Sequence, residues 1–423
     1  MYSGVKNVFK NEYIYSILTK IFLLFIGLIH SAIYARYLGA SLNGSINYIT
    51  SITSIAAIII TGGIHQAYPY FRKKYGYKEY IDKYMSITTI TFLILGLIAL
   101  VMFFVVDNPE VSLMGVLTVT AGYSTITGYV LLVEEPNKRN NVFMIAHIIE
   151  TLFVVFLYVF TSANLILAVI AYLIADVFKI ICFLPRIKFR LSLRFTKEDI
   201  LELYKYGFFP MIALLLTTLN YKIDVIMLKN SAYITLAQVG VYSIGCTIAN
   251  KALLIPDSLK VILVSKLAKG KDASEVARVM RLSFAVCVFV AVSIVAVGCP
   301  FVQLLYGNEY KGAYAVICIS IWGTIFMTFF KMIAQYNIMN KKQMLNAIML
   351  SVSILINVCL NLILVPVLGI NGAAIATAIG YLSCAIVFII YFCKTTNITV
   401  NEVVFIQKED VKVIKYIVTG RKN

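Results

Sequence analysis

The sequence contains few charged residues. Only 13% of its 423 residues are Asp, Glu, Lys or Arg, whereas 61% are hydrophobic, and soluble domains usually carry about a quarter charged residues. An aqueous fold cannot cover so much apolar surface. Apolar runs of roughly 20 residues, the length that crosses about 30 Å of hydrocarbon, recur along the whole chain. The composition therefore excludes a soluble fold and predicts an integral membrane protein.

The sequence also lacks a cysteine or histidine framework. Its 8 cysteines lie within or at the ends of apolar runs without the spacing of a disulfide or zinc site, and its 3 histidines are scattered. There is no cluster of acid, base and nucleophile side chains such as an enzyme needs. We therefore expect no metal site, no cofactor and no catalytic residues. The N-terminus lacks a small-residue cleavage site, so the first apolar run is expected to stay in the mature protein.

Apolar runs that end at charged residues, glycine or proline predict about twelve membrane-spanning helices. Their approximate bounds are 14–36, 45–71, 84–106, 111–133, 141–161, 164–184, 207–228, 236–264, 282–305, 313–338, 343–366 and 370–393. The predicted fold class is an all-α integral membrane protein.

The cations lie in alternate loops, which predicts the orientation of the chain. Of the 37 Lys and Arg residues, 28 lie in one set of loops and only Arg36, Lys229 and Lys311 in the other. Because translocation of cationic loops is disfavoured, the cation-rich loops and both termini are predicted to be cytoplasmic, in a bacterial inner membrane. The cations alternate with apolar runs and form no soluble basic surface, so the net charge of +17 does not indicate a nucleic-acid partner.

Short similarities between the two halves indicate an internal repeat. Asn137-Lys138-Arg139 precedes the fifth run and Asn340-Lys341-Lys342 the eleventh, while Ala171-Tyr172-Leu173 corresponds to Gly380-Tyr381-Leu382. Six helices separate the paired elements, so the halves have the same orientation, an arrangement that transporters use to form a central cavity. The predicted domains are two six-helix bundles at 1–185 and 207–393, a basic cytoplasmic linker at 186–206 and a cytoplasmic tail at 394–423.

Six lysines lie inside the predicted spans, where a charge facing lipid costs several kcal/mol. Lys179 and Lys260 are close enough to span ends to reach the interface. Four others lie deeper and come from both halves: Lys20, Lys222, Lys251 and Lys331. They form either buried ion pairs, with Glu150, Asp176, Asp224 or Asp257, or the cationic wall of a cavity for an anionic substrate. Their occurrence in both halves favours the cavity.

Three acidic residues inside the spans are candidates for binding a coupling ion or for acting as counter-ions. Asp224 is two residues from Lys222, a spacing that places the two side chains on different helix faces. Asp224 is therefore either the counter-ion of a lysine on another helix or part of a coupling-ion site. The same alternatives hold for Glu150, whose expected hydrogen-bond partner is His147, and Asp176 is a further candidate.

Glycine and proline inside two spans predict local breaks in the helices. Gly62 and Gly63 precede Pro69 in the second span, and Pro256 lies in the eighth. Such breaks free backbone groups that can contact a substrate or an ion.

Several short motifs resemble those of a known family. In the first half they are Arg36-Tyr37-Leu38-Gly39, Gly44, Tyr48, Gly62-Gly63-Ile64 and Pro69-Tyr70-Phe71. In the second half they are Leu219-Asn220-Tyr221-Lys222-Ile223-Asp224-Val225-Ile226-Met227-Leu228, Val239-Gly240-Val241-Tyr242-Ser243 and Ile255-Pro256. In this order they are similar to polysaccharide-exporting flippases, the Wzx-type members of the multidrug/oligosaccharidyl-lipid/polysaccharide (MOP) exporter superfamily.

The resemblance implies two six-helix bundles around a central cavity lined by spans one, two, seven and eight. It also implies alternating access that carries an undecaprenyl-pyrophosphate-linked O-antigen or capsule repeat unit to the outer leaflet. The expected partners are this lipid-linked oligosaccharide, membrane lipids and, as an open question, other surface-polysaccharide biosynthesis proteins. A cation-coupled multidrug exporter and a lipid II flippase of the same fold are alternatives. A membrane polymerase or acyltransferase of the same pathway is disfavoured because no catalytic cluster is found.

Overall fold

The computed structural model describes the backbone of residues 2–268, 272–407 and 410; within these ranges the side chains of 2–21, 23, 24, 79, 261, 262, 264–266 and 268 lie outside the description. The regular structure in the described part is helical. The helices are α1 (Tyr2–Thr61), α2 (Ile64–Tyr75), α3 (Tyr77–Val105), α4 (Pro109–Glu134), α5 (Pro136–Phe160), α6 (Leu165–Ile187), α7 (Lys197–Lys229), α8 (Leu236–Asn250), α9 (Leu254–Ala268), α10 (Ala273–Tyr306), α11 (Ala313–Met339), α12 (Gln343–Thr396) and α13 (Val400–Val404), with 3₁₀ turns at Lys251–Leu253 and Asn308–Tyr310.

Two helices are too long to cross a membrane once. Among the described residues 10 helical segments are long and apolar enough to span a bilayer, but α1 has 60 residues and α12 has 54. Straight helices of that length would extend roughly 80 to 90 Å, against a hydrocarbon core of about 30 Å. Each is interrupted by a glycine with positive φ, Gly39 (68°) in α1 and Gly369 (59°) in α12. Each therefore consists of two helices, and the predicted all-helical membrane fold is confirmed.

The two halves of α12 form an antiparallel hairpin. Near the turn, a Cβ atom on Gly372 would lie 2.4 Å from the carbonyl oxygen of Leu364. Further from the turn, the Ser353 hydroxyl donates to the carbonyl of Gly380 over 2.7 Å. The contacting residues are further apart in sequence the further they lie from Gly369, as in a helical hairpin. Gly372 has no side chain, which allows the two backbones to approach this closely.

The first half of α1 packs alongside α5 and runs in the same direction. The His30 imidazole lies 3.1 Å from the Thr151 hydroxyl, and the Tyr37 hydroxyl lies 3.1 Å from that of Thr161. The residue numbers of the contacting pairs increase together along the two helices, so the helices are parallel. The chain then bends at Gly39.

Capping residues mark the N-terminal ends of several of the spanning helices. The Asn108 side chain accepts hydrogen bonds from the N–H groups of Glu110 and Val111 at 3.0 and 3.3 Å, and Pro109 occupies the first turn of α4. Thr235 and Gln238 form a capping box at the start of α8. Such caps satisfy N–H groups that have no partner within the helix.

The chain breaks between α1 and α2 at Gly62 and Gly63, whose φ angles are 55° and 67°. A Cβ atom on Gly63 would lie 2.3 Å from the carbonyl oxygen of Gly207, and one on Gly207 would lie 2.6 Å from that of Gly62. The start of α7 therefore packs directly on the backbone of this break. Pro69 lies inside the continuous helix α2.

The chain divides into two compact units, an N-terminal unit (Met1–Thr218) and a C-terminal unit (Leu219–Asn423). The division falls inside α7, which begins within the segment predicted as a linker, so the predicted domain bounds remain predictions. The segment before α7 is fastened to α3 of the N-terminal unit. Asp82 accepts a hydrogen bond from the Arg190 N–H at 2.7 Å, and the Ser86 hydroxyl accepts one from the Ser192 N–H at 2.9 Å.

Candidate functional site

A buried carboxylate lies among the membrane-spanning helices of the C-terminal unit. Asp224, on α7, is only 3% exposed. Its Oδ2 atom accepts a hydrogen bond from the Thr377 hydroxyl at 2.8 Å, and its Oδ1 atom accepts one from the Asn361 amide at 2.9 Å. In the described part of the C-terminal unit no Lys or Arg nitrogen lies within 4.0 Å of this carboxylate. If Asp224 were the counter-ion of a lysine, a lysine would contact it. Within this unit its contacts are instead two neutral donors, the Asn361 amide and the Thr377 hydroxyl.

The hairpin of α12 brings these donors together. Asn361 lies on its first half and Thr377 on its second half, and both reach Asp224 because the halves are antiparallel. The Asn361 amide also donates to the side-chain oxygen of Asn357, one turn earlier, at 3.0 Å. The Tyr242 hydroxyl of α8 lies 3.0 Å from that of Thr377. None of these four residues is among the predicted site residues, although Tyr242 lies in one of the family-like motifs. Two asparagines one turn apart in an apolar span are a usable signal for such a site.

The site adjoins a small cavity and contains one side-chain oxygen that has no hydrogen-bond donor among the described residues. A cavity of about 20 Å³ adjoins Asp224, Tyr242 and Thr377. A space of this size holds about one water molecule or one small ion. The Asn361 side-chain oxygen is buried and has no hydrogen-bond partner among the described residues. Carboxylate, amide, hydroxyl and carbonyl oxygens are ligands for hard cations. The arrangement suits either a proton on Asp224 or a small monovalent cation.

The deep lysines differ in their surroundings. Lys331 lies 2.6 Å from Asp257, so the ion-pair interpretation applies to it. Lys222 on α7 and Lys251 are partly buried, and neither has a carboxylate within 4.0 Å among the described residues. The side chain of Lys20 lies outside the described residues.

Lys251 and Pro256 flank a break between α8 and α9. The 3₁₀ turn Lys251–Leu253 separates these helices, and Pro256 lies in the first turn of α9. Proline has no N–H for the carbonyl of Ala252, four residues earlier. The Cys287 thiol donates to that carbonyl at 3.5 Å instead. The sequence thus forms a break that holds Lys251 outside regular α-helix.

A second buried carboxylate lies in the N-terminal unit. Glu150 on α5 is 3% exposed. One of its oxygens lies 3.5 Å from Nε2 of His30 and the other lies 3.4 Å from Nδ1 of His147. The sequence predicts the contact of Glu150 with His147 but not its contact with His30, which comes from α1. A carboxylate between two imidazoles is an arrangement that can bind and release a proton.

Asp176 has a partner on its own helix. Its carboxylate lies 2.5 Å from the ammonium group of Lys179, one turn later on α6. This pair accounts for the charge of both residues. Within the described ranges no group of three or more His, Cys, Asp or Glu side chains could hold a metal ion.

The sequence of residues 9–259 matches the family model described as "Polysaccharide biosynthesis protein". The search of curated proteins found no match.

Several solved structures share the fold. The lipid II flippase MurJ in an inward closed conformation is similar with a TM-score of 0.68 at 14% identity, covering 97% of this chain and 93% of that one. An inward-facing multidrug resistance MATE family transporter of the MOP superfamily has a TM-score of 0.67 at 14% identity, covering 88% and 94%. A mutant of the Vibrio cholerae MATE transporter VcmN has a TM-score of 0.60 at 15% identity, covering 95% and 99%. These similarities show that the chain shares the fold of the MATE transporters and of MurJ.

Proposed function

The chain belongs to the polysaccharide biosynthesis protein family, and from this membership we propose that it flips lipid-linked oligosaccharide repeat units across the bacterial inner membrane. The proposed substrate is an oligosaccharide on undecaprenyl pyrophosphate, a precursor of O-antigen, capsule or exopolysaccharide, as in Wzx-type flippases. The proposed mechanism is alternating access. The family supports the polysaccharide pathway, and the MOP fold supports transport rather than catalysis.

The observation that carries the proposal is the pair of membrane-buried lysines without carboxylate partners. Lys222 and Lys251 are partly buried, and within the described residues neither forms an ion pair. A lysine inside a membrane protein normally faces a partner or a water-filled pathway. A pyrophosphate head group supplies the missing negative charge. At about 4 Å and an effective dielectric constant of about 20, one lysine contributes roughly 4 kcal/mol of gross attraction to a unit negative charge before desolvation.

A charge series at these two positions tests the proposal. Lys222 and Lys251 are each changed to Arg, Gln and Glu, and surface polysaccharide is measured at matched protein levels. The expected order of export is Lys, Arg, Gln, Glu, with about a tenfold loss for Gln, equivalent to about 1.4 kcal/mol. The matched control is Lys311→Gln, because Lys311 is exposed in a loop. Equal export by the Lys and Glu forms would contradict the proposal.

Ion coupling through Asp224 forms the second part of the proposal. The Asp224 carboxylate and the Thr377 hydroxyl line a cavity for one small ion. Binding of a monovalent cation there would neutralise the carboxylate. An ion that favours one conformation of the transporter drives the equilibrium by its differential affinity.

Two other functions of the same fold remain alternatives because structural relatives perform them. A cation-coupled multidrug exporter predicts that a deletion strain becomes sensitive to cationic drugs while its surface polysaccharide is unchanged. A lipid II flippase predicts that the gene restores growth to a strain depleted of its own lipid II flippase. The proposed function predicts loss of surface polysaccharide and neither of these effects.

A further inference from the structure

Besides the small cavity beside Asp224, the structure has a larger cavity in the N-terminal unit, and Glu150 does not line it. It has a volume of about 200 Å³ and lies where the end of α2, the start of α3 and the start of α7 meet. Its lining residues are Phe71, Tyr75, Tyr80, Lys83, Ile87, Asp199, Glu202 and Leu203. The α2–α3 turn at Gly76 lies in one of the cation-rich loops, on the side predicted to be cytoplasmic.

Three aromatic rings form one wall of this cavity. The rings of Phe71 and Tyr75 are 6.2 Å apart and inclined by 2°. The Tyr80 ring lies 5.5 Å from that of Phe71 and 5.9 Å from that of Tyr75, at inclinations of 23° and 21°. The three ring planes are therefore close to parallel. Phe71 and Tyr80 are buried, whereas Tyr75 is 40% exposed, so Tyr75 presents the wall to solvent.

Charged side chains on α3 and α7 also line the cavity. Lys83 lies 2.9 Å from Asp199, and Lys74 lies 3.0 Å from Glu202. Both carboxylates have a cation, so these side chains carry no net charge for an ionic ligand. The Lys83 ammonium retains donor capacity beyond its bond to Asp199, because an ammonium group has three N–H donors. The second oxygen of Glu202 has only a long contact of 3.5 Å with the Tyr75 hydroxyl.

We propose that this cavity binds a single sugar ring. A pyranose has an apolar C–H face, which packs on an aromatic wall, and a rim of hydroxyls, which both donate and accept hydrogen bonds. The wall of Phe71, Tyr75 and Tyr80 matches that face. Lys83 as donor and Glu202 as acceptor match the rim. The volume is below the roughly 300 to 1,000 Å³ of pockets for drug-sized ligands, which suits one ring.

An ammonium ligand, such as a lipid ethanolamine, fits the cavity less well. Aromatic rings attract cations, but the Lys74 ammonium already lies 4.6 Å from the centre of the Tyr75 ring. A second cation there would meet like-charge repulsion. The paired carboxylates add no free negative charge to offset it.

The inference rests on the proposed function only for the source of the sugar. The ring belongs either to the lipid-linked oligosaccharide, held before translocation, or to a soluble saccharide. Binding of the sugar itself does not require that the chain be a flippase.

Saturation-transfer NMR on the full chain in lipid nanodiscs tests sugar binding. The probes are glucose, galactose and N-acetylglucosamine, with ethanolamine as the non-sugar competitor. At least one sugar is expected to bind, with affinity about tenfold lower in Tyr75→Ala and unchanged in Tyr75→Phe, which keeps the ring. Glu202→Gln is expected to weaken binding by a smaller factor, because hydrogen bonds to charged acceptors are stronger than neutral ones. Tyr233→Ala, at an exposed tyrosine of the other unit, is the control.

Two lipids distinguish the sources. Displacement of the free sugar by undecaprenyl-pyrophosphate-N-acetylglucosamine but not by bare undecaprenyl pyrophosphate supports the cavity as a site for the lipid-linked sugar. Absence of displacement by both supports a site for soluble saccharide. The proposal is overturned if none of the three sugars binds, if Tyr75→Ala binds as well as the native chain, or if ethanolamine displaces the sugar. Sugar binding that is lost in Tyr75→Ala while the lysine charge series leaves export unchanged would contradict the proposed function and support the cavity.

Discussion

The Thr377 hydroxyl donates a hydrogen bond of 2.8 Å to the buried carboxylate of Asp224. This bond joins the second half of α12 to α7, and Asn361 adds the first half at 2.9 Å. A carboxylate held by two neutral donors is costly to bury as an uncompensated charge. A bound proton or cation removes that cost, and its release restores it. The state of Asp224 is therefore coupled to the packing of three helical segments in the C-terminal unit.

Sodium should stabilise the native chain but not Asp224→Asn. A ligand that binds only the folded state stabilises it by about 2.7 kcal/mol at a concentration of about 100 times its Kd. The measurement is thermal unfolding of the purified chain in sodium chloride and in choline chloride at equal ionic strength. Asp107→Asn, in an exposed turn, is the control. Equal melting temperatures of the native chain in both salts would contradict sodium binding and favour a proton as the ion that Asp224 binds.

Glu150→Gln should flatten the pH dependence of export. The carboxylate lies between His30 and His147, and imidazoles change charge between about pH 5 and 8. Tyr34 contacts the His30 ring from the same helix. Transport into inverted vesicles is measured across this pH range. His65→Gln changes a buried histidine that packs against Tyr129 elsewhere and should leave the profile unchanged. An unaltered profile in Glu150→Gln would show that this cluster has only a structural role.

Reporter fusions should place the cation-rich loops on one side of the membrane and the cation-poor loops on the other. Alkaline phosphatase fused after Asn108 is expected to be active, and after Gly76 or Lys342 inactive, because the 28 to 3 distribution of loop cations keeps the latter loops in the cytoplasm. The enzyme activity is compared with that of β-galactosidase fused at the same sites, which should show the inverse pattern. The opposite result at all three sites would reverse the topology.

Gly63→Ala should reduce the amount of folded protein far more than Gly76→Ala. Both glycines have positive φ, 67° and 80°, so both variants carry a backbone penalty of about 1 to 2 kcal/mol. Only at Gly63 would the new Cβ also collide with the carbonyl of Gly207, at 2.3 Å, whereas nothing lies within 4 Å at Gly76. Fluorescence-detected size exclusion measures the folded fraction. Similar losses in the two variants would mean that α7 can move away from the break.

Asp410→Asn should release the C-terminal segment from α10. Arg281 holds the buried Asp410 with two guanidinium N–H groups, one of them at 2.8 Å, and donates to the carbonyl of Glu402 at 2.8 Å. Removing one partner of a buried pair costs about 3 to 5 kcal/mol. Limited proteolysis of the segment after Thr396 should become faster. Arg278 also lies 3.4 Å from Asp410, but it keeps Glu275 as a partner at 3.6 Å when Asp410 is replaced. The double variant Arg281→Met with Asp410→Leu should therefore restore part of the protection; no recovery would point to a role of Arg281 beyond its pair with Asp410.

Acid should release the same segment. Burial alone would raise the pKa of Asp410, but hydrogen bonds from Arg281 and from the Gln407 N–H outweigh it and lower that pKa below its ordinary value. The detached segment therefore binds its proton at higher pH than the docked one. The pair stabilises docking fully above the ordinary Asp pKa, and this contribution is lost as the pH falls through the lowered value. Proteolysis of Asp410→Asn should lack this acid step.

Sequence reasoning identified features that depend on neighbouring residues along the chain. The membrane-spanning character, the turn near Gly369, the break at Gly62 and Gly63 and the proximity of His147 to Glu150 all follow from hydrophobic runs, glycine and helical spacing. The partners of Asp224 could not be identified this way. Asn361 and Thr377 are more than a hundred residues away from it, and their approach depends on how the α12 hairpin packs against α7.

The sequence by itself determined that this chain is a helical membrane protein, because the hydrophobic effect acts on composition and run length, which are readable residue by residue. It also determined that lysines and carboxylates lie inside the spans. Only the tertiary structure decided the pairs that join different helices: Lys331 with Asp257, Glu150 with His30, and Asp224 with neutral donors. Pairing requires atoms to meet within about 3 Å, and that distance depends on the register between helices, which no local pattern specifies.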